Sequence, residues 1–214
     1  MDSTILQNYS QIPKFYVSRG TCNDLESLVG MIQKKNSEIN IISRKMSEKD
    51  AIRHRHIIDS AQIVDFIDLN SNTTSDLGSG GGMPGLIVAI LMKKIKNRMK
   101  IKLYEKSYHK CVFLREVSKK LELNTEIIQK DIFKIKNIET GTIMSRAFKP
   151  MPIILDLVHK NFSKYKNLIL FMGKSGRKIL NNTLTNWDLE YEERKSLTSE
   201  HSFLLIIKKM KKKI

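Results

Sequence analysis

Apolar residues recur at helical spacing in the first third of the chain, then in short strand-length runs from about residue 71 onward. Leu25, Leu28, Val29 and Ile32 fall at i, i+3, i+4 and i+7, which predicts a helix with one apolar face. Ser47 followed by Asp50 resembles a capping box with Asp in place of Glu, and predicts a helix running to about Ile67. Its apolar stripe holds Ile52, Ile63, Phe66 and Ile67, but Arg55, His56, Asp59 and Ser60 run through the middle of it. Polar groups on a core-facing surface are costly unless partnered. These four therefore either turn to solvent or meet partners elsewhere in the protein.

After residue 71 the pattern alternates between strand and helix, which implies a mostly parallel sheet. The expected strands are Thr73–Leu77, Ile101–Glu105, Glu126–Lys130, Thr142–Ser145, Leu168–Met172 and Phe203–Lys208, with Trp187–Tyr191 a further strand antiparallel to the last. The expected helices are Pro84–Lys96, Tyr108–Leu121, Pro152–Asn161 and Ser175–Thr185. The first strand is oddly polar, since Asn72, Thr73, Thr74 and Ser75 stand where a central strand is normally apolar.

Between that strand and the next helix, residues 78–85 hold five of the chain's ten glycines. Glycine serves where backbone takes positive φ or comes close to a ligand. A strand, a tight glycine turn and a helix form the nucleotide-type site of doubly wound α/β folds. A dinucleotide fingerprint starting at Gly78 would need glycine at position 83, where Met83 stands. The pattern that fits is D-x-G-x-G-x-G, with Asp76, Gly78, Gly80 and Gly82. An acidic residue two places before the first glycine is typical of S-adenosylmethionine sites, so methyl transfer is favoured over hydride transfer. Glu105, at the end of the second strand, is placed to accept hydrogen bonds from ribose hydroxyls. Asp131, Ile132 and Phe133 follow the third strand and could meet an adenine ring by carboxylate, backbone or packing.

The 214 residues suffice for one α/β domain with an N-terminal addition: a helical extension over 1–70 and a methyltransferase domain over 71–214. With no apolar run near 20 residues and no basic-then-apolar N-terminus, neither a membrane partner nor a secretory signal is expected. Cys22 and Cys111 have no metal or redox spacing, which fits a reducing cytoplasm and predicts no metal site. A net charge of +16 favours a polyanionic partner. Part of that charge reflects a lysine-rich composition, but two clusters stand out: Lys93 to Lys102, and Lys208 to Lys213 at the end of the chain.

Other chemistries are disfavoured by missing residues. A P-loop ending at Gly173-Lys174-Ser175 would need glycine at 168, which is Leu168. Cytosine C5 transfer needs a nucleophilic cysteine, usually after proline, whereas Cys22 and Cys111 follow Thr21 and Lys110. Exocyclic-amine transfer uses an Asp/Asn-Pro-Pro-aromatic element after the fourth strand, and Met144-Ser145-Arg146-Ala147-Phe148 stands there instead. Two further readings stay open: a non-catalytic RNA-binding protein on a methyltransferase fold, and a nucleotide-dependent oxidoreductase.

Taken in order, Arg55-His56-Ile57-Ile58-Asp59-Ser60, the loop from Asp76 to Gly85 with Pro84, Lys110 with Phe113-Leu114-Arg115, and Ser145-Arg146-Ala147 resemble the bacterial small-subunit (16S) rRNA guanine-N7 methyltransferase family, once named glucose-inhibited division protein B. The resemblance runs from about Asn40 to Phe148, with the last strand similar too; His109 and the polar first strand depart from it. It implies a doubly wound, mostly parallel seven-stranded Rossmann-like sheet, S-adenosylmethionine as cofactor and small-subunit rRNA as partner; a monomer is expected, though no residue pattern specifies the oligomeric state. Gly78 and Met83 would contact the cofactor, the Ile132–Phe133 backbone its adenine, and Arg146 the cofactor or the target base. Arg146, His56 and Asp59 are the candidate catalytic residues. The helix carrying the last two is expected to face the glycine loop.

Overall fold

The computed structural model describes residues 7–43, 47–96 and 98–213. Helix α1, Arg19–Asn36, buries the predicted face of Leu25, Leu28, Val29 and Ile32, and starts from Ser18, whose side chain accepts from the Thr21 amide. Helix α2 covers residues 49–61 and changes pitch on the way: α-helical over Lys49–Ile52, π-helical over Arg53–Ile58, α-helical again over Asp59–Ala61. It is shorter than the pattern predicts, and its N-cap is Glu48, which makes no side-chain cap bond, in place of the expected Ser47. A 3-10 turn, Val64–Phe66, then carries the chain to the sheet.

The main sheet has seven strands in the order β3-β2-β1-β5-β7-β9-β8. These are β1 (Thr73–Leu77), β2 (Lys100–Tyr104), β3 (Thr125–Ile128), β5 (Thr142–Ser145), β7 (Asn167–Met172), β8 (Trp187–Lys195) and β9 (Phe203–Lys212). The first five are parallel neighbours, and β9 is antiparallel to both β7 and β8. The doubly wound seven-stranded architecture is thus present, and β8 and β9 are longer than their apolar runs suggest. Two short strands the pattern did not reveal, β4 (Ile138–Glu139) and β6 (Phe162–Lys164), pair with each other.

One face of the sheet is covered by α1, α2, α3 (Gly85–Met92) and α4 (Tyr108–Lys120), which share a single apolar core. Every residue of α3 is buried, because the helix lies between the sheet and the N-terminal helices. Helices α5 (Met151–Asn161) and α6 (Gly176–Thr183) cover the other face.

The polar first strand lies inside the sheet, between β2 and β5, with Thr74, Ser75 and Asp76 at most 1% exposed. Its neighbourhood uses polarity to fasten backbone. Thr140 Oγ1 donates to Thr73 O at 3.1 Å, Ser145 Oγ donates to Leu77 O at 3.2 Å, and Asp76 holds the start of α3. Bonding of this kind makes buried hydroxyls tolerable, while Ser75 Oγ of the strand itself has no hydrogen-bond partner among the described residues.

The two lysine clusters lie away from the glycine loop. Helix α3 and strand β2 place Lys93 to Lys102 at the edge where the parallel strands begin. Strand β9 runs the opposite way, with Phe203 level with Met172 and Ile207 level with Leu168, so Lys208 and Lys212 lie about 17–30 Å down the strand from Phe203.

Candidate active site

A cavity of about 490 Å³ opens at the carboxyl ends of β1, β2, β3 and β5, within the range of cofactor sites and at the place where doubly wound sheets bind ligands. The glycine loop forms its floor through Gly78, Ser79, Gly80, Gly81 and Met83. Gly78 has φ +71, and an added Cβ would lie 2.1 Å from the Phe148 ring, so no other residue fits. Gly80 has φ +55, but a Cβ there meets only Gly78 O at 3.7 Å: the space above it is the cavity itself.

Glu105 lines the cavity and shapes the loop. Its Oε2 accepts from the Gly80 amide at 2.9 Å and its Oε1 from the Ser107 amide at 2.8 Å. The Gly78 and Ser79 amides both donate to Tyr104 O at 3.0 Å. Asp131, Ile132 and Phe133 form the opposite wall. Asp131 caps a 3-10 turn, accepting from the Phe133 amide at 3.1 Å, and Asn161 clamps the turn by donating to Phe133 O at 3.2 Å. Ile132 is buried and Phe133 is exposed, its ring centroid 6.2 Å from that of Phe148.

Asp76 and Gly82, expected among the cofactor contacts, lie behind the loop and do not line the cavity. Asp76 Oδ2 accepts from the Gly85 amide at 3.0 Å and its Oδ1 has no partner among the described residues. Burial pushes the Asp76 pKa up to about 7. The carboxylate thus ties the loop to α3 from below, and Gly82 packs against Leu86.

Arg146 closes the third side, at the end of β5, and α2 grips it at several points. Its Nε lies 3.2 Å from Asp59 Oδ2, Nη1 donates to Ser60 Oγ at 3.2 Å, and Nη2 donates to Arg55 O at 2.6 Å. The π-helical pitch makes the last bond possible. The Asp59 amide bonds back five residues to His54 O, not four to Arg55 O, and the Arg55 carbonyl is freed to face the guanidinium. Arg55 itself contributes only backbone, its side chain being exposed.

His56 Nδ1 lies 3.4 Å from Arg146 Nη2. Burial, with the guanidinium beside it, pushes the His56 pKa down to about 4, so the ring is neutral and Nδ1 accepts. The proton then sits on Nε2, which is buried without a partner among the described residues, on a side chain that lines the cavity. Asp59 lies outside the lining, behind Arg146, and is itself anchored: its Oδ1 accepts from Thr198 Oγ1 at 2.7 Å and Gln62 Nε2 at 2.8 Å. Ala147 has φ +51, a strained angle for a residue with a Cβ, where the chain turns between Arg146 and Phe148.

Helix α2 therefore faces the catalytic edge, with Asp59 paired to Arg146 and not to Arg55. Several contributors went unnoticed in the sequence. Ile41 and Ile42 line the cavity, held by Asn36, whose Oδ1 accepts from both their amides at 2.9 Å. Ser196 and Thr198, in the turn between β8 and β9, reach Asp59 from far along the chain. Lys106, Lys130 and Lys149 also line the cavity, and only their positions soon after strand ends could have flagged them; Lys110, quoted above only as part of a motif, joins them from the first turn of α4.

A family model described as rRNA small subunit methyltransferase G matches residues 21–205. A protein of that name from Pelagibacter ubique is 56% identical over 209 residues, covering 98% of both chains. Another from Bartonella henselae is 34% identical over 219 residues, covering 99% of this chain and 98% of the relative. Among solved structures, a SAM-dependent methyltransferase from Aquifex aeolicus aligns with a TM-score of 0.55 at 13% identity, covering 82% of this chain and 97% of that one, a likeness of fold.

Proposed function

The chain belongs to the rRNA small subunit methyltransferase G family, and we propose on that premise that it transfers a methyl group from S-adenosylmethionine to N7 of one guanosine in small-subunit rRNA. The observation that carries the reading is the cavity bounded by an open-faced glycine loop, Glu105 and an arginine gripped by α2. The residues fit the cofactor: the space over Gly80 admits a ligand against bare backbone, Glu105 retains lone pairs for ribose hydroxyls, and the Asp131–Phe133 turn offers backbone and an aromatic face to adenine. When bound, S-adenosylmethionine supplies an electrophilic methyl on a cationic sulfonium.

Guanine N7 carries an in-plane lone pair and no proton, so in-line transfer needs no general base. The protein's part is then orientation. Arg146 is placed to hold the base or the cofactor, His56 adds a neutral donor at Nε2, and Asp59 fixes Arg146 in place. The neutral state of His56 matters, because a second positive charge beside a cationic product would oppose the reaction. We propose further that the enzyme acts as a monomer, and in the cytoplasm, whose reducing conditions suit the two buried free cysteines. The test is incubation of the purified protein and labelled S-adenosylmethionine with small-subunit RNA, free and in subunits, followed by mapping. One 7-methylguanosine supports the reading; methyl transfer to another atom, or none, overturns it.

A further inference from the structure

Residues 106–110 read Lys-Ser-Tyr-His-Lys and form the link from β2 into the first turn of α4. Lys106 and Lys110 line the mouth of the cavity, and Lys130 and Lys149 line it from the ends of β3 and β5. Among the described residues none of these four ammonium groups is in an ion pair. Four of the five lysines of the terminal cluster, by contrast, are matched: Lys208 with Glu192, Lys209 with Glu190, Lys212 with Asp156 and Lys213 with Asp188. Local pairing of this kind weakens the field that attracts a polyanion, whereas four lysines outside any ion pair outnumber the Glu105 and Asp131 carboxylates at one opening and leave it net positive.

Between the two lysines of the link stands Tyr108, 62% exposed, its ring edge-on to His109 with centroids 5.6 Å apart. A large ring left in water beside unpaired lysines has the chemistry of a single-strand platform: phosphates bind the ammonium groups and an unstacked base lies on the ring.

We propose that residues 106–110, with Lys130 and Lys149, hold the RNA strand flanking the target nucleotide, the lysines on phosphates and Tyr108 stacked on an unpaired base. The inference rests on the methyltransferase reading above, and it makes the conspicuous lysine cluster at the chain's end a bystander. The test measures RNA affinity against salt, methylation KM and kcat, and calorimetric cofactor affinity for three proteins: Tyr108→Ala, Tyr108→Phe, and the fourfold variant Lys106→Gln, Lys110→Gln, Lys130→Gln, Lys149→Gln. A threefold variant, Lys208→Gln, Lys209→Gln, Lys212→Gln, is the control.

Tyr108→Ala should raise the RNA KM about tenfold and Tyr108→Phe should restore it. The fourfold variant should lower the log–log salt slope by about three, and each single change by about 0.7, while the control leaves it unchanged. Cofactor affinity should stay within about twofold in both Tyr108 variants and in the control, and a cooperative thermal transition of the fourfold variant separates its lost RNA contact from misfolding. Wild-type KM and salt slope in variants that still methylate would overturn this surface and leave the methyltransferase reading standing. An unmodified protein that methylates no RNA would overturn the reading beneath it instead.

Discussion

Replacing Asp59 with alanine tests the junction between α2 and the catalytic edge. Asp59 pairs with Arg146 at 3.2 Å, with the two side chains 15% and 19% exposed. It also accepts from Thr198 at 2.7 Å and Gln62 at 2.8 Å. Removing one partner of a buried pair leaves the other charge uncompensated, at a cost of about 3–5 kcal/mol. For a chain of this size that loss lowers Tm by about 6–20 °C. Asp59→Asn keeps an oxygen for the hydroxyl and amide donors and loses only the charge, so it should cost about 1.5–3 kcal/mol. Both variants should lower methyl transfer at least tenfold, because the guanidinium is no longer held against the cavity. Urea denaturation followed by circular dichroism measures the first effect and single-turnover methylation the second. In an Arg146→Met background the Asp59→Ala cost should shrink by about 1–3 kcal/mol. An equal cost in both backgrounds would assign Asp59 to the β8–β9 turn alone, and wild-type stability with wild-type turnover would refute the whole junction.

Gly80→Val should abolish S-adenosylmethionine binding in a protein that still folds cooperatively, since the side chain fills the cavity and takes an unfavourable φ of +55; calorimetry showing unchanged affinity refutes the assignment of the loop. Glu105→Ala should weaken cofactor binding by about 1.5–3 kcal/mol, the worth of hydrogen bonds to a charged group, with the Gly80 amide also losing its acceptor. Asp76 gives a pH effect. Its folded pKa is raised to about 7 from 3.8, so the folded state binds its proton more tightly, and the stability this confers is full below about pH 4 and lost as pH rises to 7. That loss amounts to about 4 kcal/mol. Asp76→Asn can still accept from the Gly85 amide without the charge, so its stability relative to the parent should rise between about pH 4 and 7 and level off above; parallel pH profiles would show that Asp76 does not titrate there.

What the chain determines by itself is local. Helical spacing at Leu25, Leu28, Val29 and Ile32 and the alternation after residue 71 mark most elements, because burial on one face must follow the period of the backbone. The glycine cluster marks the loop, because positive φ at Gly78, Gly80 and Gly82 restricts residue type whatever the surroundings. Even the polar first strand forms at the predicted positions, though only the fold shows that its buried neighbours spend their hydroxyls on backbone.

The tertiary structure decided everything that depends on residues far apart in sequence. Spacing placed Arg55, His56, Asp59 and Ser60 on one helical face, but a π-helical turn freed the Arg55 carbonyl, and Arg146, some 90 residues away, became the common partner. Asp76 looked like a ligand contact and became a buried tie, because the loop folds over it. The lysines conspicuous as runs fell at the far edge, because β9 reverses direction, while scattered lysines met at the mouth, because parallel strands end together there. Charge and hydrogen bonding act through space, and sequence distance carries almost none of that information.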